Sequence, residues 1–468
     1  MITKTFIDRE NELEALEERY KKKSFEFVPI YGRRRVGKTE LILQFIKNKK
    51  SVYFLATSGS KKENITRFKQ AASNVIDLSP IREEWEDIFK YIKEKVKGRI
   101  IIAIDEFPYL LESEQGVSSI FQRIIDTILK DSNIFLILCG SSLGMMYKEV
   151  LTYKAPLYGR RTGQIHLKPL NFRDAAKFFH RKSLEEIIKI YSVCGGMPAY
   201  LKEFAENKDI FSLIKEKILE KDAILREEPM FLLRMEFRDP KIYSSILTAI
   251  SLGNRTLGKI INYCGFPNKT GIMPYLYNLE YLEYVEREIP VTEKPRSKKG
   301  LYFIKDYFFD FWFKFIRPNT SLLEQSVEEV LKKIKEKFNL HVSYAFENIC
   351  RESLFYIKPI KFTKVGKWWH KDREIDLVAL NEKTKEILFA ECKWQSKVNA
   401  LKIARELAEK TQYVQWHNRE RKESFAIFAK SFSKRIEEFE GKKVYCFDLK
   451  DLEKVFRKKN FAKNFGIN

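Results

Sequence analysis

Three residues near the C-terminus have types and a spacing that indicate metal chemistry: Asp376, Glu391 and Lys393. They lie in the segment EIDLVALNEKTKEILFAECKW, residues 374–394, where two apolar runs flank a charged turn. Symmetric pairing of two strands around that turn puts Asp376 opposite Glu391, and Lys393 shares their face because side chains alternate along a strand. Buried carboxylates are costly without a partner, and a divalent cation offsets that cost. The pattern therefore predicts a Mg²⁺ or Mn²⁺ site.

Such a site has a defined chemistry. Asp376 and Glu391 hold the metal, which generates hydroxide, while Lys393 positions the water or neutralises developing charge. The upstream segment VSYAFENICRESLF is an expected amphipathic helix whose Glu347 is the candidate third ligand. The alternative is an ion-paired hairpin without catalysis, in which Asp376 or Glu374 pairs with Lys393.

A second group of residues is typical of phosphate binding. GRRRVGKT matches G-x-x-x-x-G-K-[ST] between an expected strand and an expected helix. The glycines allow the backbone N–H groups to surround phosphates, Lys38 reaches the β- and γ-phosphates, and the Thr39 hydroxyl binds Mg²⁺. The expected nucleotide-binding residues of this loop are Gly32, Arg33, Arg34, Arg35, Val36, Gly37, Lys38 and Thr39.

The strand IIIAIDEF supplies the residues for hydrolysis. Asp105 at its end is expected to hold Mg²⁺, and Glu106 to polarise the attacking water as general base. Ser141 follows the next apolar strand and either senses the γ-phosphate or only caps the strand end. The alternative for Asp105 and Glu106 is an acidic pair at an exposed strand end, without a role in hydrolysis.

The elements that must position these residues alternate between strand and helix. FEFVPIYG, SVYFLAT, RIIIAIDEF and NIFLILCGSS are short apolar runs separated by helical stretches. This alternation predicts an α/β fold with a parallel sheet covered on both faces. A chain of 468 residues is too long for one core, so we expect two to four domains.

Charge and cysteine content restrict the partners and the compartment. The 87 Lys and Arg against 64 Asp and Glu give a net charge of +23, which suits a polyanion such as DNA, with RNA left open. A charge-rich surface of thermophilic type is the alternative. The apolar runs are too short to span a bilayer, and the six scattered cysteines fit a reducing cytosol.

Several motifs occur in the order seen in archaeal ATPases of the AAA+/STAND group, which the first half of the chain therefore resembles. They are FIDRENELEAL, YGRRRVGKTELI, IAIDEFPYL, CGSSLGMM, PLYGRRTGQIHLKPL and CGGMPAYL. The resemblance implies ATP as ligand. It makes Arg160 or Arg161 a candidate arginine finger and brings Pro198 towards the adenine. The alternative role for the two arginines is to keep the surface soluble. The alternative role for Pro198 is only to bend the start of a helix.

The remaining chain is expected to hold two further modules. PKIYSSILTAIS, RTLGKIINYCG and GIMPYLYNLEYLEYVERE are three expected helices, and IPVTEKPRSKKGLYFIKD is an expected basic hairpin. This is the order of a winged helix-turn-helix, for DNA phosphate contacts or only for packing. A further charged helix, VEEVLKKIKEKF, is expected to lead into the last part. The last part resembles the PD-(D/E)xK nuclease core and an archaeal domain of unknown function, although Glu374 and Asp376 replace a literal Pro-Asp. The expected divisions are residues 1–170 for the ATPase core, 171–235 for a helical lid, 236–320 for the winged helix and 335–468 for a restriction-endonuclease-like α/β domain.

Three functions follow from these expectations. The first is an ATP-dependent DNA-processing enzyme with a metal-dependent nuclease-like domain. The second is a STAND-like, ATP-driven switch whose last domain is an inactive adaptor for nucleic acid or protein. The third is a membrane-surface ATPase, for which the sequence has no amphipathic anchor. Whether the chain forms a homo-oligomer is left open.

Overall fold

The computed structural model describes residues 7–457. Its contacts divide the chain into two compact units. The first contains residues up to Pro169 together with Met197–Ala199, and the second contains Leu170–Gly196 and the chain from Tyr200 onwards. Apart from residues 197–199 of the lid, the predicted lid, winged helix and nuclease-like domain fall in the second unit, so their separation into three domains stays a prediction.

The first unit is an α/β sandwich. Its elements are α1 (Glu10–Lys21), β1 (Glu26–Tyr31), α2 (Lys38–Ile46), β2 (Ser51–Leu55), α3 (Lys61–Ala72), α4 (Trp85–Lys95), β3 (Ile100–Asp105), α5 (Pro108–Ser113), α6 (Val117–Ile124), β4 (Ile134–Gly140), α7 (Leu143–Met146) and β5 (Ile165–His166). The five strands form one parallel sheet in the order β2-β3-β4-β1-β5. The expected parallel sheet is therefore present.

The sheet brings together segments that are distant in the sequence. β1, β3 and β4 are buried along their whole length, as expected for central parallel strands made of continuous apolar runs. β4 lies between β1 and β3. Since parallel strands end at the same edge, the loop after β1, Asp105 at the end of β3 and Ser141 after β4 meet there.

The second unit begins with helices and a small hairpin. Its first elements are α8 (Phe172–Ala176), α9 (Leu184–Cys194), α10 (Pro198–Glu203), α11 (Ile210–Ile214), α12 (Glu228–Glu236), α13 (Pro240–Ser251), α14 (Leu257–Cys264), α15 (Lys269–Tyr281), β6 (Val285–Glu288), β7 (Leu301–Ile304), α16 (Tyr307–Phe311), α17 (Thr320–Gln325) and α18 (Val327–Ile357). β6 and β7 pair as an antiparallel two-stranded sheet.

Two helix boundaries differ from the expectation. The predicted helix GIMPYLYNLEYLEYVERE was too long: α15 ends at Tyr281, and its last residues form β6. Glu283 adopts a left-handed conformation at φ 59°, which cannot continue a helix. Conversely, the two helices expected near 327–338 and 342–355 are one 31-residue helix, α18. Position 335, the predicted start of the last domain, therefore lies inside a helix.

The chain ends in a mixed sheet. Its elements are β8 (Lys364–His370), β9 (Arg373–Leu380), β10 (Glu386–Lys393), β11 (Val398–Asn399), α19 (Ala400–Thr411), β12 (Lys422–Ala429), β13 (Phe432–Lys434), β14 (Glu438–Phe439), β15 (Lys442–Phe447) and α20 (Leu449–Arg457). Six strands form one sheet in the order β14-β15-β12-β10-β9-β8. β8, β9 and β10 are antiparallel neighbours, whereas β12 runs parallel to β10 and to β15.

The hairpin β9–β10 has the symmetric register that the sequence predicts. Leu380 pairs with Ile387 and Leu377 with Ala390, so the next pair along the strands is Asp376 and Glu391. On its other side, the pairing of β9 with β8 changes register between Gly366 and Trp368. Such an irregularity is a β-bulge, which bends the strand locally and re-aims side chains next to it. Asp376 lies in the β9 segment opposite this bulge.

No helix within residues 7–457 is long and apolar enough to cross a membrane.

Candidate functional site

The loop between β1 and α2 has the backbone geometry of a phosphate cradle. A Cβ on Gly32 would lie 2.2 Å from the carbonyl oxygen of Leu167, so only glycine fits there. Gly37 immediately precedes α2 and has a φ of 96°, a left-handed conformation that favours glycine. The first N–H groups of α2, which have no partner within the helix, therefore face the loop.

Lys38, the first residue of α2, is buried and turned back onto this loop. Its Nζ donates to the carbonyl oxygens of Gly32 and Arg33, each at 3.0 Å. Burial lowers the pKa of the ammonium, and the nearby Glu106 and Asp105 partly oppose that effect. The amino group is thus held at the loop, in the position from which a P-loop lysine contacts phosphates.

Asp105 connects three segments at the edge of the sheet. Its side chain is fully buried, and Oδ2 accepts hydrogen bonds from the Thr39 hydroxyl at 2.6 Å and from the Tyr53 hydroxyl at 2.9 Å. Burial, followed by Asp105, raises the pKa of Tyr53. A hydroxyl and a carboxylate oxygen this close supply two oxygens of the kind that Mg²⁺ takes, and water and phosphate oxygens would supply the others. The side chains present therefore fit the expected Mg²⁺ site.

Glu106 is held by Ser141, which follows β4, the strand between β1 and β3. Its Oε2 accepts from the Ser141 hydroxyl at 2.8 Å and from the Ser141 backbone N–H at 3.4 Å. Glu106 itself has a φ of 52°, an uncommon conformation for a residue with a side chain and one that occurs often at active sites. The hydrogen bond orients the carboxylate, which is what a general base needs. Sensor or cap remain the two interpretations of Ser141.

Tyr53 gives a prediction for this site. Outer-shell partners of a metal ligand typically contribute 10- to 100-fold in metal affinity. We therefore expect Tyr53→Phe, which removes one donor from Asp105, to raise the Mg²⁺ concentration for half-maximal ATP hydrolysis about tenfold. A Mg²⁺ titration of the hydrolysis rate measures it, with Tyr91→Phe on α4 as control. An unchanged half-saturation would show that Tyr53 does not support the metal ligand.

The remaining predicted nucleotide-site residues take several positions. Arg33 and Val36 are buried, Arg34 is half-buried, and Arg35 is exposed. Pro198 begins α10, and residues 197–199 belong by their contacts to the first unit. Phosphate binding by the loop residues and contact of Pro198 with the adenine therefore stay predictions.

The two candidate finger arginines have partners within the first unit. Arg160 Nη2 is 2.9 Å from a carboxylate oxygen of Asp126. The Arg161 guanidinium lies over the Tyr158 ring, 4.6 Å from its centroid, and its Nε donates to the Tyr158 carbonyl oxygen at 3.0 Å. Neither contact selects one of them, so the finger stays a prediction.

The structure brings Asp376, Glu391 and Lys393 together at the end of the β9–β10 hairpin. Lys393 Nζ is 2.5 Å from Glu391 Oε2 and 4.0 Å from Asp376 Oδ2. The other oxygen of Glu391, Oε1, is 2.7 Å from Lys410 Nζ on α19. Asp376 Oδ2 also accepts the backbone N–H of Cys392 at 2.7 Å. Both lysines thus contact a carboxylate whose own side chain is only 2% exposed.

The electrostatics of this group depend on burial. Burial, followed by the charges of Glu391 and Glu347, raises the pKa of Asp376 to about 8. Burial alone would lower the pKa of Lys393, but Glu391 and Asp376 raise it above its ordinary value. Two adjacent carboxylates in a buried setting repel each other, and Lys393 and Lys410 oppose that repulsion mainly at Glu391.

Glu347 does not join the pair as directly. It lies on α18 and acts on Asp376 through space, but its own carboxylate forms an ion pair with Lys367 of β8. Burial raises the pKa of Glu347, and Lys367 opposes that effect. Among residues 7–457, no three His, Cys, Asp or Glu side chains form a group that could hold a metal ion. The metal-binding role therefore rests on Asp376 and Glu391.

Three polar partners in these sites were not predicted from the sequence: Tyr53, Lys367 and Lys410. Tyr53 lies within an apolar strand, where an aromatic residue indicates only core packing. Lys367 and Lys410 are two lysines in a strongly basic chain, so spacing gave no reason to single them out. The one available signal was the position of Lys410 on α19, the first helix after β10.

Comparison with known proteins follows the two halves of the chain. An ATPase domain found predominantly in Archaea matches residues 6–204, and a family of archaeal and bacterial proteins of unknown function matches residues 312–405. An uncharacterized protein of Methanocaldococcus jannaschii is 41% identical over 454 residues, which cover 95% of this chain and 99% of that protein. An uncharacterized ATP-binding protein of the same organism is 49% identical over 45 residues, 10% of this chain and 76% of that protein.

A solved structure shares the fold. A Walker-type ATPase of Pyrococcus abyssi superposes with a TM-score of 0.53 at 22% identity, covering 66% of this chain and 96% of that one. The parallel sheet, the glycine-bearing loop and the paired Thr39 and Asp105 define a P-loop ATPase. This chain belongs to the same family as the 41%-identical Methanocaldococcus jannaschii protein, and its residues 6–204 match the archaeal ATPase domain. The predicted archaeal P-loop ATPase is thereby confirmed.

Proposed function

We propose that this ATPase acts on DNA and cuts it at a metal-dependent site in its second unit. The observation that carries the proposal is the convergence of Asp376, Glu391 and Lys393 on one hairpin end. The element order around it supports the same conclusion. From α18 to β12 the chain forms a helix, three antiparallel strands, the two-residue strand β11, a helix and a strand parallel to β10. That order is the one expected for a PD-(D/E)xK nuclease core.

In the ATPase site each residue has one task. The α2 N–H groups and Lys38 bind the phosphates of ATP. Thr39 and Asp105 would hold Mg²⁺, which would supply charge neutralisation at the phosphates. Glu106 accepts a proton from the attacking water, and its hydrogen bond to Ser141 keeps the carboxylate oriented. Arg160 or Arg161 supplies the finger.

In the cutting site the two carboxylates have different neighbours. Lys410 engages Oε1 of Glu391, so Oε2 and the Asp376 carboxylate are the oxygens that would hold Mg²⁺ or Mn²⁺. The cation would supply an activated water. Lys393, between the two carboxylates, would then be released to contact the phosphate or to stabilise its developing charge. Cleavage of plasmid DNA with and without the metal, in wild type and Asp376→Ala, tests the proposal.

DNA recognition is proposed for α13 to β7. Three helices followed by a two-stranded hairpin have the order of a winged helix, and the loop joining β6 to β7 contains several lysines and arginines. α15 carries one lysine and no arginine, so its surface is not suited to phosphate or guanine contacts. The loop, residues 289–300, is the better candidate for phosphate contacts. We call it the wing loop.

The wing loop gives a salt-dependence prediction. Lys298 and Lys299 are both exposed, and Lys299 is 2.6 Å from Glu293 within the same loop. Each phosphate contact contributes a slope of about −0.9 to log K against log salt. Replacing both lysines by alanine should therefore make the slope shallower by up to about 1.8. Fluorescence anisotropy of duplex DNA across a salt series measures it.

The control for this pair is Lys332→Ala with Lys333→Ala, two exposed lysines on α18 that remove the same charge. An equal change of slope in both double variants would mean that only net charge matters. A slope unchanged by the wing-loop variant would remove the wing loop from the interface.

A second function is supported by the ion pairs themselves. Glu391 has two lysine partners and Glu347 has one, so these carboxylates are neutralised without a metal. The second unit would then be an inactive adaptor for nucleic acid or protein, and the chain an ATP-driven switch of STAND type. This candidate predicts DNA binding without cutting, whatever divalent ion is supplied.

A further inference from the structure

A groove of about 640 Å³ lies in the second unit between the wing loop and the edge strand β8. This volume is within the range of roughly 300–1,000 Å³ usual for ligand sites. Its lining combines aromatic rings with positive charge. The residues that carry the argument are Lys294, Arg296, Lys299, Trp369, His370 and Tyr413.

The groove is built by defined contacts rather than by a loosely placed loop. The backbone N–H of Val291 donates to the Lys367 carbonyl oxygen at 2.9 Å. At the other end of the wing loop, the indole Nε1 of Trp369 donates to the Lys299 carbonyl oxygen at 3.1 Å. The wing loop is therefore attached to β8 at two points, which fixes the width of the groove.

The aromatic side chains leave part of their rings accessible. Tyr413 is 43% exposed, and Trp369 and His370 are half-buried. The Arg373 guanidinium lies over the Tyr413 ring, 3.9 Å from its centroid. An exposed tyrosine held on one face by an arginine is a rigid platform, and base stacking on such a ring contributes affinity without sequence preference.

The charge of the groove is suited to a phosphate backbone. Lys294, Arg296 and Lys299 line it, and the acidic side chain among the lining residues, Glu293, is already paired with Lys299 at 2.6 Å. Lys294 and Arg296 therefore remain as positive charges in the groove that no acidic lining residue balances. Stacking rings beside a cationic rim form the arrangement by which proteins hold single strands.

The groove is close in sequence to the carboxylate pair. Trp369 pairs with Glu374 across β8 and β9, and Asp376 follows two residues later on β9. Two residues of strand span about 7 Å. Trp369 and Asp376 therefore lie on neighbouring strands of one sheet, and the groove and the carboxylate pair belong to the same part of the second unit.

We propose that this groove binds single-stranded nucleic acid, with unpaired bases stacked on Tyr413 and Trp369 and the backbone along Lys294 and Arg296. The proposal rests on the proposed function and deepens it, because it names the form of nucleic acid presented to the cutting site. Bases inside a duplex cannot stack on these rings, so the groove discriminates against double strands. The wing loop then has one cationic side for duplex phosphates and one for the single strand.

The test measures binding without cleavage. Fluorescence anisotropy in EDTA compares labelled oligo(dT), oligo(U) and a duplex of equal length on the full chain. Tyr413→Ala and Trp369→Leu should each weaken oligo(dT) binding about 5- to 150-fold, the range given by loss of one base stack. Tyr413→Ala breaks neither of the two contacts that attach the wing loop to β8, so it should leave duplex affinity unchanged. Tyr413→Phe, which keeps the ring, should bind like wild type, and Phe355→Ala, an exposed aromatic on α18 outside the groove, is the matched control.

The outcomes separate this proposal from the proposed function. Duplex binding of wild-type strength together with unchanged oligo(dT) binding by both variants overturns the groove alone. If wild-type protein binds none of the three probes, both the groove proposal and the nucleic-acid part of the proposed function are overturned. A parallel loss on oligo(U) supports the proposal and extends the ligand to RNA. Melting temperatures of the variants distinguish loss of a contact from loss of folding.

Discussion

Glu106→Gln binds ATP normally and hydrolyses it about 10²- to 10⁴-fold more slowly, the range that a positioned general base contributes. Lys38→Ala instead loses ATP binding, because the amino group at the phosphate loop is gone. The two substitutions thus separate binding from turnover. Equilibrium binding of a fluorescent ATP analogue and the steady-state phosphate release rate measure the two quantities.

The matched control is Glu112→Gln, an exposed carboxylate on α5 that loses the same charge and should hydrolyse ATP at the wild-type rate. Normal hydrolysis by Glu106→Gln would exclude Glu106 as the base. ATP binding retained by Lys38→Ala would mean that the backbone of the loop suffices, and would reduce Lys38 to a residue that holds the loop through Gly32 and Arg33.

Asp376→Ala and Lys393→Ala each abolish DNA cutting while ATP hydrolysis stays near the wild-type rate. The first removes one of two carboxylates that would hold the metal, and the second removes the cation that lies between them. ATP hydrolysis is unaffected because Lys38 and Glu106 belong to the other compact unit. Nicking of supercoiled plasmid with Mg²⁺, with Mn²⁺ and with EDTA measures cutting, and phosphate release measures hydrolysis.

Glu382→Ala is the control for these variants, since it removes an exposed carboxylate from the turn of the same hairpin. It should cut like wild type. Equal nicking by wild type and Lys393→Ala would assign the cutting to another site or to a contaminant. No nicking by wild type with either metal would favour the inactive adaptor.

The nucleotide site could be predicted because each of its segments has a pattern that can be identified on its own in the sequence. Gly32 to Thr39 form one turn, and Asp105 and Ser141 each end a continuous apolar strand whose type is clear from the sequence. Parallel strands meet at one edge, so their ends come together whatever the intervening helices are. Tyr53 was not predicted, since a tyrosine within a strand gives no indication that its hydroxyl reaches Asp105.

The C-terminal site was predicted only in part. The hairpin register followed from symmetry about the turn, which placed Asp376 beside Glu391. The ion pairs could not be predicted, because Lys410 and Lys367 come from other elements and a Lys-rich sequence offers many equivalent choices. The bulge between β8 and β9 has one sign in the sequence, Gly366 inside the strand, but a single glycine does not say how the register changes. These contacts are the ones that separate a cutting site from an ion-paired hairpin.

Helix ends show the same limit. Apolar spacing alone continued the helix through Val285, but the left-handed Glu283 stops it and the partner strand β7 recruits the following residues. Strand pairing is a long-range effect that a local pattern does not contain. The wing loop, and with it the groove beside Trp369, exists because the chain changes from helix to strand there.

The proposed cutting site requires the claim that Asp376 and Glu391 hold a divalent cation. Calorimetric titration of Mn²⁺ into the nucleotide-free protein measures this binding. Wild type and Asp105→Ala should both bind Mn²⁺, and Asp376→Ala should lose that binding together with DNA cutting. Binding of Mn²⁺ that survives Asp376→Ala, or wild-type protein that takes up no Mn²⁺ outside the ATP site, would contradict the claim.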